Sequence, residues 1–381
     1  MAQRSIALFD YHIVPTNPVG GVHLRVVRDL CHDYDFTVFA VTFENPCPER
    51  VRWVRIPAPK RPLALLFVVY FLLAPVYYWL HRLRHRARFD IVQTACNVAF
   101  GDVVHSQFCH RTYLKNHWNN ARVPGLRGKL RWLDHTLRAS LEPLLYRRAR
   151  RIVVPSRGLS RELIAEFPAV EGKVTIIPNP VDGKRMHMPS DFDRAAFRAT
   201  LGIGEDDIAL VFVALGQFER KGLPLLLDAL VMLKNLSVKL VMVGGELDLL
   251  AVYRTKMVGM GLSDQVTAVG MQRDVRPYFW AADALAFPSF YEAFSLVTLE
   301  AAAAGLPLIV PPINGVEEFI RDGENGISIP HTAAGIAGGI ACFAAMPPAR
   351  RNEMGRCAQK DVGRYAMPAI ARLWEVLYES V

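Results

Sequence analysis

Pro288-Ser289-Phe290-Tyr291-Glu292-Ala293-Phe294-Ser295-Leu296-Val297-Thr298-Leu299-Glu300-Ala301 is the stretch on which the reading of this chain turns. The apolar run Ala284-Leu285-Ala286-Phe287 before it reads as a buried strand. After Phe294 the apolar residues Leu296, Leu299 and Ala303 fall on one helical face. Glu292 is therefore expected in a strand-to-helix turn, and Glu300 nearly two turns into the helix. In an open α/β sheet, ligands bind in the crevice at the carboxyl ends of the strands. The free amides of a first helical turn suit an anion such as a phosphate. A carboxylate at the lip and a second on the helix suit hydroxyl groups, because a carboxylate only accepts hydrogen bonds.

The same alternation extends outward in both directions. Towards the amino terminus, strands are expected near 5–9, 36–42, 51–56, 90–94, 102–106, 151–155 and 173–178. Helices are expected near 22–32, 63–86, 126–149 and 157–166. Pro178-Asn179-Pro180-Val181-Asp182 breaks the pattern, and a second series follows: strands near 208–215, 238–243, 265–269, 284–287 and 307–310, with a helix over 223–234. An amphipathic helix near 368–380 carries Ile370, Leu373, Trp374 and Leu377 on one side. Alternating strands and helices predict parallel sheets with helices on both faces, and 381 residues suit two such domains better than one core. The fold class is α/β.

Composition narrows the function. A hydrophobic content of 51% with mixed charge excludes a disordered chain. Six cysteines without a C-x-x-C pair suggest neither a disulfide framework nor a zinc site, and point to reduced thiols in the cytoplasm. The start, Met1-Ala2-Gln3-Arg4-Ser5-Ile6-Ala7-Leu8-Phe9, enters a strand without the long apolar core of a signal peptide. The net charge of +9 is uneven: residues 1–185 hold 28 Lys/Arg against 14 Asp/Glu, and residues 186–381 hold 17 against 22. Only the first half is built to face an anionic partner, and nucleic acid and anionic membrane both fit that description.

Residues 62–80 contain no charge, and Lys60-Arg61 and Arg82-Leu83-Arg84-His85-Arg86 flank them. The length passes the test for a membrane span. A single span would put strands of one sheet on opposite sides of a bilayer, so two other readings stand. The helix is either buried in the first domain, or it lays an apolar face in the membrane interface. Phe67, Tyr70, Phe71, Tyr78 and Trp79, with the trailing arginines, are the residues expected at such an interface. Pro75 is expected to kink or end the helix.

With Ala304-Gly305-Leu306-Pro307-Leu308-Ile309 following it, the Glu292–Glu300 stretch resembles the Glu-x7-Glu block of retaining nucleotide-sugar glycosyltransferases of family 4. The family's Glu-Gly-Phe-Gly reads Glu292-Ala293-Phe294-Ser295 here. The resemblance implies the GT-B fold, two Rossmann-like domains facing across a cleft. Residues 1–183 would form the acceptor domain, 184–365 the nucleotide-sugar domain, and 366–381 a helix packing back on the first. Glu292 would hold hydroxyls of the donor sugar and Glu300 the ribose, with Ala293, Phe294 and Ser295 lining the donor. Gly216-Gln217-Phe218-Glu219-Arg220-Lys221-Gly222 is similar to the family's phosphate loop. Lys221 matches its lysine, Gln217 replaces its arginine, and Arg220 is the candidate substitute. Gly20-Gly21 is similar to the amino-terminal glycine loop of the family, where paired glycines permit close approach to a diphosphate or an acceptor. His110, and after it His105, match the histidine beside the transferred sugar. Gly244 and Met271 stand in loops that border the nucleotide.

The implied reaction is sugar transfer from a nucleoside diphosphate to a hydroxyl of a lipid-linked or glycan acceptor, with retention and by front-face substitution. The setting would be glycolipid, lipopolysaccharide or polysaccharide synthesis, at the inner face of the cytoplasmic membrane. No metal, cofactor or nucleic acid is implied. Asp33-Tyr34-Asp35 and Asp191-Phe192-Asp193 read as solvated turns. The rival readings are an epimerase or sugar phosphorylase on the same fold, and a non-catalytic binder of anionic glycolipid.

Overall fold

The computed structural model describes residues 3–60, 62–121, 123 and 125–381; Met1, Ala2 and the flanking Arg61 lie outside the described residues. The chain divides into two compact units. One comprises Met1–Asn116, Pro124–Pro180 and Met367–Val381, and the other His117–Val123 and Val181–Ala366.

The main sheet of the first unit has seven strands: β1 (Arg4–Phe9), β2 (Tyr34–Ala40), β3 (Arg52–Arg55), β4 (Ile91–Thr94), β5 (Val103–His105), β6 (Arg151–Val154) and β7 (Val174–Ile176). They form one parallel sheet in the order β3-β2-β1-β4-β5-β6-β7. The strands of the second unit are β8 (Ile208–Val213), β9 (Val238–Val243), β10 (Val266–Gly270), β11 (Ala284–Ala286), β12 (Leu308–Val310) and β13 (Gly326–Ser328). Their order, β10-β9-β8-β11-β12-β13, repeats the doubly wound pattern of the first unit. Four of these strands, β4, β5, β11 and β12, are buried throughout, and buried parallel strands read as continuous apolar runs rather than alternating ones.

Helix α1 (Pro18–Leu30) starts four residues before the expected Val22. Its proline sits at the first helical position, where a missing N–H costs nothing, and Asn17 caps it. Helix α2 (Leu63–His85) runs through Pro75, so the proline does not end it. Leu66, Phe67, Tyr70, Ala74, Tyr78 and His81 recur at helical spacing and are buried. Leu66, Tyr70, Ala74 and Tyr78 of that stripe join a cluster with Phe9, Phe39 and Val92 of the sheet. The opposite face leaves Leu65, Val68, Leu72, Val76, Trp79 and Leu80 exposed. Helix α2 is therefore half core and half outer surface. Phe67, Tyr70 and Tyr78 belong to the core half and cannot insert into a membrane; of the expected interfacial set, Trp79 is exposed. Helix α3 (Gly125–Arg147) touches α2 where Arg138 stacks over the Phe67 ring.

The closing helix of the chain, Met367–Ser380, packs in the first unit. Ile370, Trp374, Leu377 and Tyr378 enter the cluster of Ile6, Leu8 and Phe36, and the Tyr378 hydroxyl donates to Gln93 at 2.6 Å. All six cysteines are free thiols. Asp193 accepts from the Ala196 amide and caps the helix Arg194–Thr200, while Asp33 and Asp35 are exposed at the entry to β2.

Candidate functional site

In the second unit β8 and β11 are sheet neighbours, with Leu210 opposite Ala284 and Val211 opposite Leu285. From β8 the chain moves to β9 on one side, and from β11 to β12 on the other. This is the switch point of the sheet, where the loops leaving two adjacent strands diverge and open a crevice. Residues 214–222 leave β8 and residues 287–295 leave β11. Lys221 and Glu292, 71 residues apart, meet there with Nζ 2.5 Å from Oε1. The Ser289 hydroxyl donates to the same oxygen at 2.7 Å. Both bonds end on Oε1, so Oε2 is the oxygen placed to accept from a ligand hydroxyl.

Further bonds lock the two loops together. Arg220 donates from Nε to Gln217 at 2.8 Å and from Nη1 to the Tyr291 carbonyl at 2.9 Å. The Phe290 amide donates to the Arg220 carbonyl at 2.9 Å. Arg220 thus reaches the Glu292 loop at the Tyr291 carbonyl, while Gln217, the residue that replaces the expected arginine, holds it from its own loop. A ring nitrogen of His331 lies 2.7 Å from the Ser289 carbonyl while its ring stacks on Phe290, and the His117 ring packs against Tyr291. Ser289 had a signal in the sequence, three residues before Glu292. His331 and His117 had none, since both come from distant segments.

Burial dominates the electrostatics of the pair. It pushes Lys221 down to about 8, and the neighbouring Glu292 only partly offsets this. For Glu292 burial alone would raise the carboxyl, but Lys221 and Arg220 together outweigh it and hold Glu292 below the usual carboxylate range. The pair is a cation and an anion in a dry place. An incoming diphosphate would compete with Glu292 for the lysine and strengthen its hold on the proton.

Three expectations are corrected by this geometry. Glu292 is not at an exposed lip; it is 8% exposed. Helix α6, taking α4 as Leu223–Met232 and α5 as Leu247–Gly259, spans Leu296–Ala303, so Glu300 is its fifth residue and sits just over one turn in. Residues 291–295 form a non-helical turn that ends in an extended N-cap at Ser295, and this delays the helix. Phe294 is a core side chain against Tyr365 and Gly315, so it and the buried Ala293 can serve a donor only through their main chain. The Ser295 hydroxyl makes no cap bond and is buried without a partner, which leaves the first-turn amides of α6 uncapped by a side chain.

Gly216 has open space beside its α-carbon: a β-carbon there would meet only a Leu249 methyl, at 4.0 Å, so its main chain is approachable. Gly244 has a different reason to be glycine. Its φ is +105°, a β-carbon would lie 2.0 Å from the Ala214 carbonyl, and its amide donates to Gly270 at 2.7 Å. Beside it, the carboxyl ends of β9 and β10 border a cavity of about 510 Å³ lined by Gly245, Glu246, Leu247, Arg254, Val269 and Met271. That volume falls in the range of small-molecule sites.

The first-unit candidates separate in the same way. His105 is buried, and both its ring nitrogens are engaged: Nδ1 with His23 at 2.8 Å and Nε2 with Gln107 at 2.5 Å. His23 in turn meets Asp10 at 2.8 Å, and Gln107 exchanges bonds with Asn179. This chain from β1 to residue 179 uses His105 for structure and leaves it no nitrogen for a sugar. His110 is only half-buried. Its Nδ1 meets His135 at 2.9 Å, and its amide donates to Glu142 at 2.6 Å. Burial raises Glu142 to about 7, against the pull of the His110 and Arg111 amides. Burial, with His135 and Arg138 nearby, pushes His110 well below the usual histidine range, so the ring is neutral. Gly20 and Gly21 lie inside the first turn of α1, and their amides are taken by the side chain and carbonyl of Asn17. A β-carbon on Gly20 would lie 1.8 Å from the His12 carbonyl, so close chain packing already requires a glycine there.

Comparison with known proteins fits this architecture. A family model for Glycosyltransferase Family 4 matches residues 24–185, and one for Glycosyl transferases group 1 matches residues 209–345. The chain carries two glycosyltransferase domains. The lipopolysaccharide core biosynthesis glycosyltransferase LpsE of Rhizobium meliloti is 33% identical over 188 residues, 49% of this chain and 54% of that protein. A D-inositol 3-phosphate glycosyltransferase of Streptomyces avermitilis is 31% identical over 227 residues, 56% of this chain and 48% of that protein. The chain spans about half the length of the curated relatives it matches. WaaG, a glycosyltransferase involved in lipopolysaccharide biosynthesis, superposes with a TM-score of 0.77 at 17% identity, covering 98% of this chain and 99% of that one. Anabaena HepE in complex with UDP and glucose gives 0.75 at 17% identity, covering 100% of both chains. The two glycosyltransferase domains have the GT-B fold.

Proposed function

We propose that the protein is a retaining glycosyltransferase. It moves a sugar from a nucleoside diphosphate to a hydroxyl of a membrane-borne or glycan acceptor, in glycolipid, lipopolysaccharide or surface polysaccharide synthesis at the inner face of the cytoplasmic membrane. The observation that carries this reading is the Lys221–Glu292–Ser289 cluster at the switch point of the second sheet. A largely buried lysine is suited to the charge that develops on a departing diphosphate, because a site mostly shielded from water screens it little. The uncapped amides of α6 add donors for the same charge. Glu292 Oε2 would orient the sugar through its hydroxyls, and the cavity beside Met271 would take the nucleoside. His110, neutral and half-buried, is the first-unit residue assigned to the sugar. Front-face substitution suits a site whose buried carboxylate is already held by a lysine and a serine rather than poised as a nucleophile. The complex of HepE with UDP and glucose supports a nucleoside diphosphate donor, and the lipopolysaccharide roles of LpsE and WaaG support the acceptor class.

The test is a panel of nucleoside-diphosphate sugars incubated with purified protein, scored for release of the free diphosphate. Turnover of one donor, lost in Glu292→Ala, supports the proposal. Interconversion of sugars without transfer, or turnover that needs inorganic phosphate, sinks it. Glu300→Gln tests the ribose contact separately. A neutral amide accepts a weaker hydrogen bond than a carboxylate, so product inhibition by the free nucleoside diphosphate is expected to weaken by about tenfold, one hydrogen bond to a charged group being worth roughly 1.5–3 kcal/mol. Unchanged inhibition removes Glu300 from the nucleotide site.

A further inference from the structure

Beside the last turns of α2 the first unit has a second cavity, of about 360 Å³, that the proposed transfer reaction does not use. Arg52 and Trp53 of β3, the edge strand of the sheet, line one side, and Tyr77, His81, Arg84 and His85 of α2 line the other. Arg52, Arg84 and His85 are exposed. Among the described residues, no aspartate or glutamate lines the cavity. His81 is 7% exposed, and its Nε2 is buried without a hydrogen-bond partner. Burial, with His85 and Arg52 close by, lowers its affinity for a proton, so a neutral ring with one unsatisfied nitrogen faces two guanidinium groups. Guanidinium forks are matched to phosphate oxygens. The chemistry that suits Arg52 and Arg84 together is a phosphate.

The surroundings identify which phosphate. Leu80 belongs both to the cavity wall and to the exposed apolar face of α2 that runs through Leu65, Leu72 and Val76. Trp79 stands on that face with the Arg82 guanidinium stacked over its ring, an aromatic–cation pair of the kind that settles at the boundary of hydrocarbon and water. A soluble phosphate needs the cations but not the apolar face beside them. A second copy of this chain would bring the same cations against themselves, with residues 1–185 already carrying 28 Lys/Arg against 14 Asp/Glu. We propose that this cavity is a headgroup site for an anionic phospholipid, and that the outer face of α2 lies in the interface of the bilayer from which that lipid comes. The site would hold the first unit at a membrane and deepens the proposed acceptor class. It is tested without donor or acceptor, so its failure and the failure of the transferase reading can be told apart.

The experiment is co-sedimentation of the full chain with vesicles of pure phosphatidylcholine and of phosphatidylcholine mixed with phosphatidylglycerol. Binding is expected only to the mixed vesicles. It should weaken between about 0.1 M and about 1 M salt, where screening shortens from about 10 Å to about 3 Å. Arg52→Gln with Arg84→Gln is expected to weaken binding roughly thirty-fold, from the usual contribution of two cations at an anionic surface. The charge-keeping pair Arg52→Lys with Arg84→Lys should retain most of it, which excludes a folding defect as the cause. Leu72→Glu, on the exposed face, should weaken binding about tenfold by removing an inserted side chain. Quenching of Trp79 by brominated lipid, read as the difference from Trp79→Phe, should report insertion. The proposal is overturned by absence of binding to the mixed vesicles, or by binding that the double glutamine variant leaves unchanged. It is equally overturned if inorganic phosphate or glycerol phosphate binds the free protein as tightly as the vesicles do, which would make the cavity a soluble-anion site. A dimer that Leu72→Glu dissociates would assign the apolar face to a second copy instead.

Discussion

Lys221→Ala is expected to lower turnover by about 100- to 1,000-fold, the usual cost of one electrostatic contact to developing charge, roughly 2.7–4 kcal/mol. The residue has few substitutes. Gln217 stands where a second cation is expected, and Arg220 is tied to Gln217 and to the Tyr291 carbonyl. The lysine also carries a pH signature. With its proton affinity pushed down to about 8 by burial, the free enzyme loses the cation as pH rises through that value, so kcat/KM should fall there. Stability moves the other way. Between about 8 and the ordinary 10.5 the unfolded chain holds a proton that the folded one has lost, so this group's contribution to stability rises with pH across the window. Glu292, held below its ordinary 4.5, contributes stability that is present above that value and lost as pH falls through its lower folded value. Removing the lysine alone strands a buried carboxylate, which typically costs about 3–5 kcal/mol. Turnover is therefore measured well below the melting temperature of the variant, and Lys221→Met with Glu292→Gln serves as the paired control for stability. A Lys221→Ala protein that turns over donor at near the normal rate, with the basic limb of its pH profile intact, would place the diphosphate elsewhere.

Much of this arrangement was legible in the sequence because it depends on local pattern. Continuous apolar runs marked the buried strands, and the change from strand to helical period marked the loops at their carboxyl ends. Those two signals were enough to put Lys221 and Glu292 at equivalent ends of two strands. Their pairing was not legible, because it requires β8 and β11 to be neighbours, and only the doubly wound sheet order makes them so. The same limit explains the histidines. His105 and His110 stand in one strand-to-helix connection with similar local context, yet His105 faces His23 and Gln107 while His110 faces His135. Which of them keeps a nitrogen for a ligand depends on His23 and His135, 82 and 25 residues away, which no local pattern reveals. In α2 the uncharged run identified the helix but not its inner face, because both faces are apolar; the stripe from Leu66 to His81 is selected by what the sheet offers it. Gly20 and Gly21 were read by their freedom of conformation, but Gly20 is fixed by lack of room beside His12. A glycine has two physical reasons to exist, and composition does not separate them.

Gly222 has both reasons at once, and it makes the second large effect separable. It caps α4 with a φ of +77°, and a β-carbon there would lie 2.0 Å from the Pro288 carbonyl oxygen and 2.7 Å from its carbon. The obstacle is main chain, so no rotamer change relieves it. Pro288 leads directly into Ser289 and Glu292, and the bond from the Phe290 amide to the Arg220 carbonyl ties the two loops at the same place. Gly222→Ala therefore incurs the cost of a left-handed conformation, about 1–2 kcal/mol, and of forcing the loops apart, about 1–3 kcal/mol. A loss of roughly 2–5 kcal/mol is expected, a fall of about 10 °C in the melting temperature of a unit of this size. Gly323 provides the comparison. Its φ is +74°, nearly the same, but nothing lies within 4 Å of the position a β-carbon would take. Gly323→Ala should cost only the conformational part and leave turnover unchanged, whereas Gly222→Ala should lose turnover as well, because it displaces the loop that aims Glu292 at Lys221. Equal melting temperatures for the two variants would mean that the loops are not in contact at Pro288, and the convergence of the phosphate loop on the Glu292 turn would lose its structural basis.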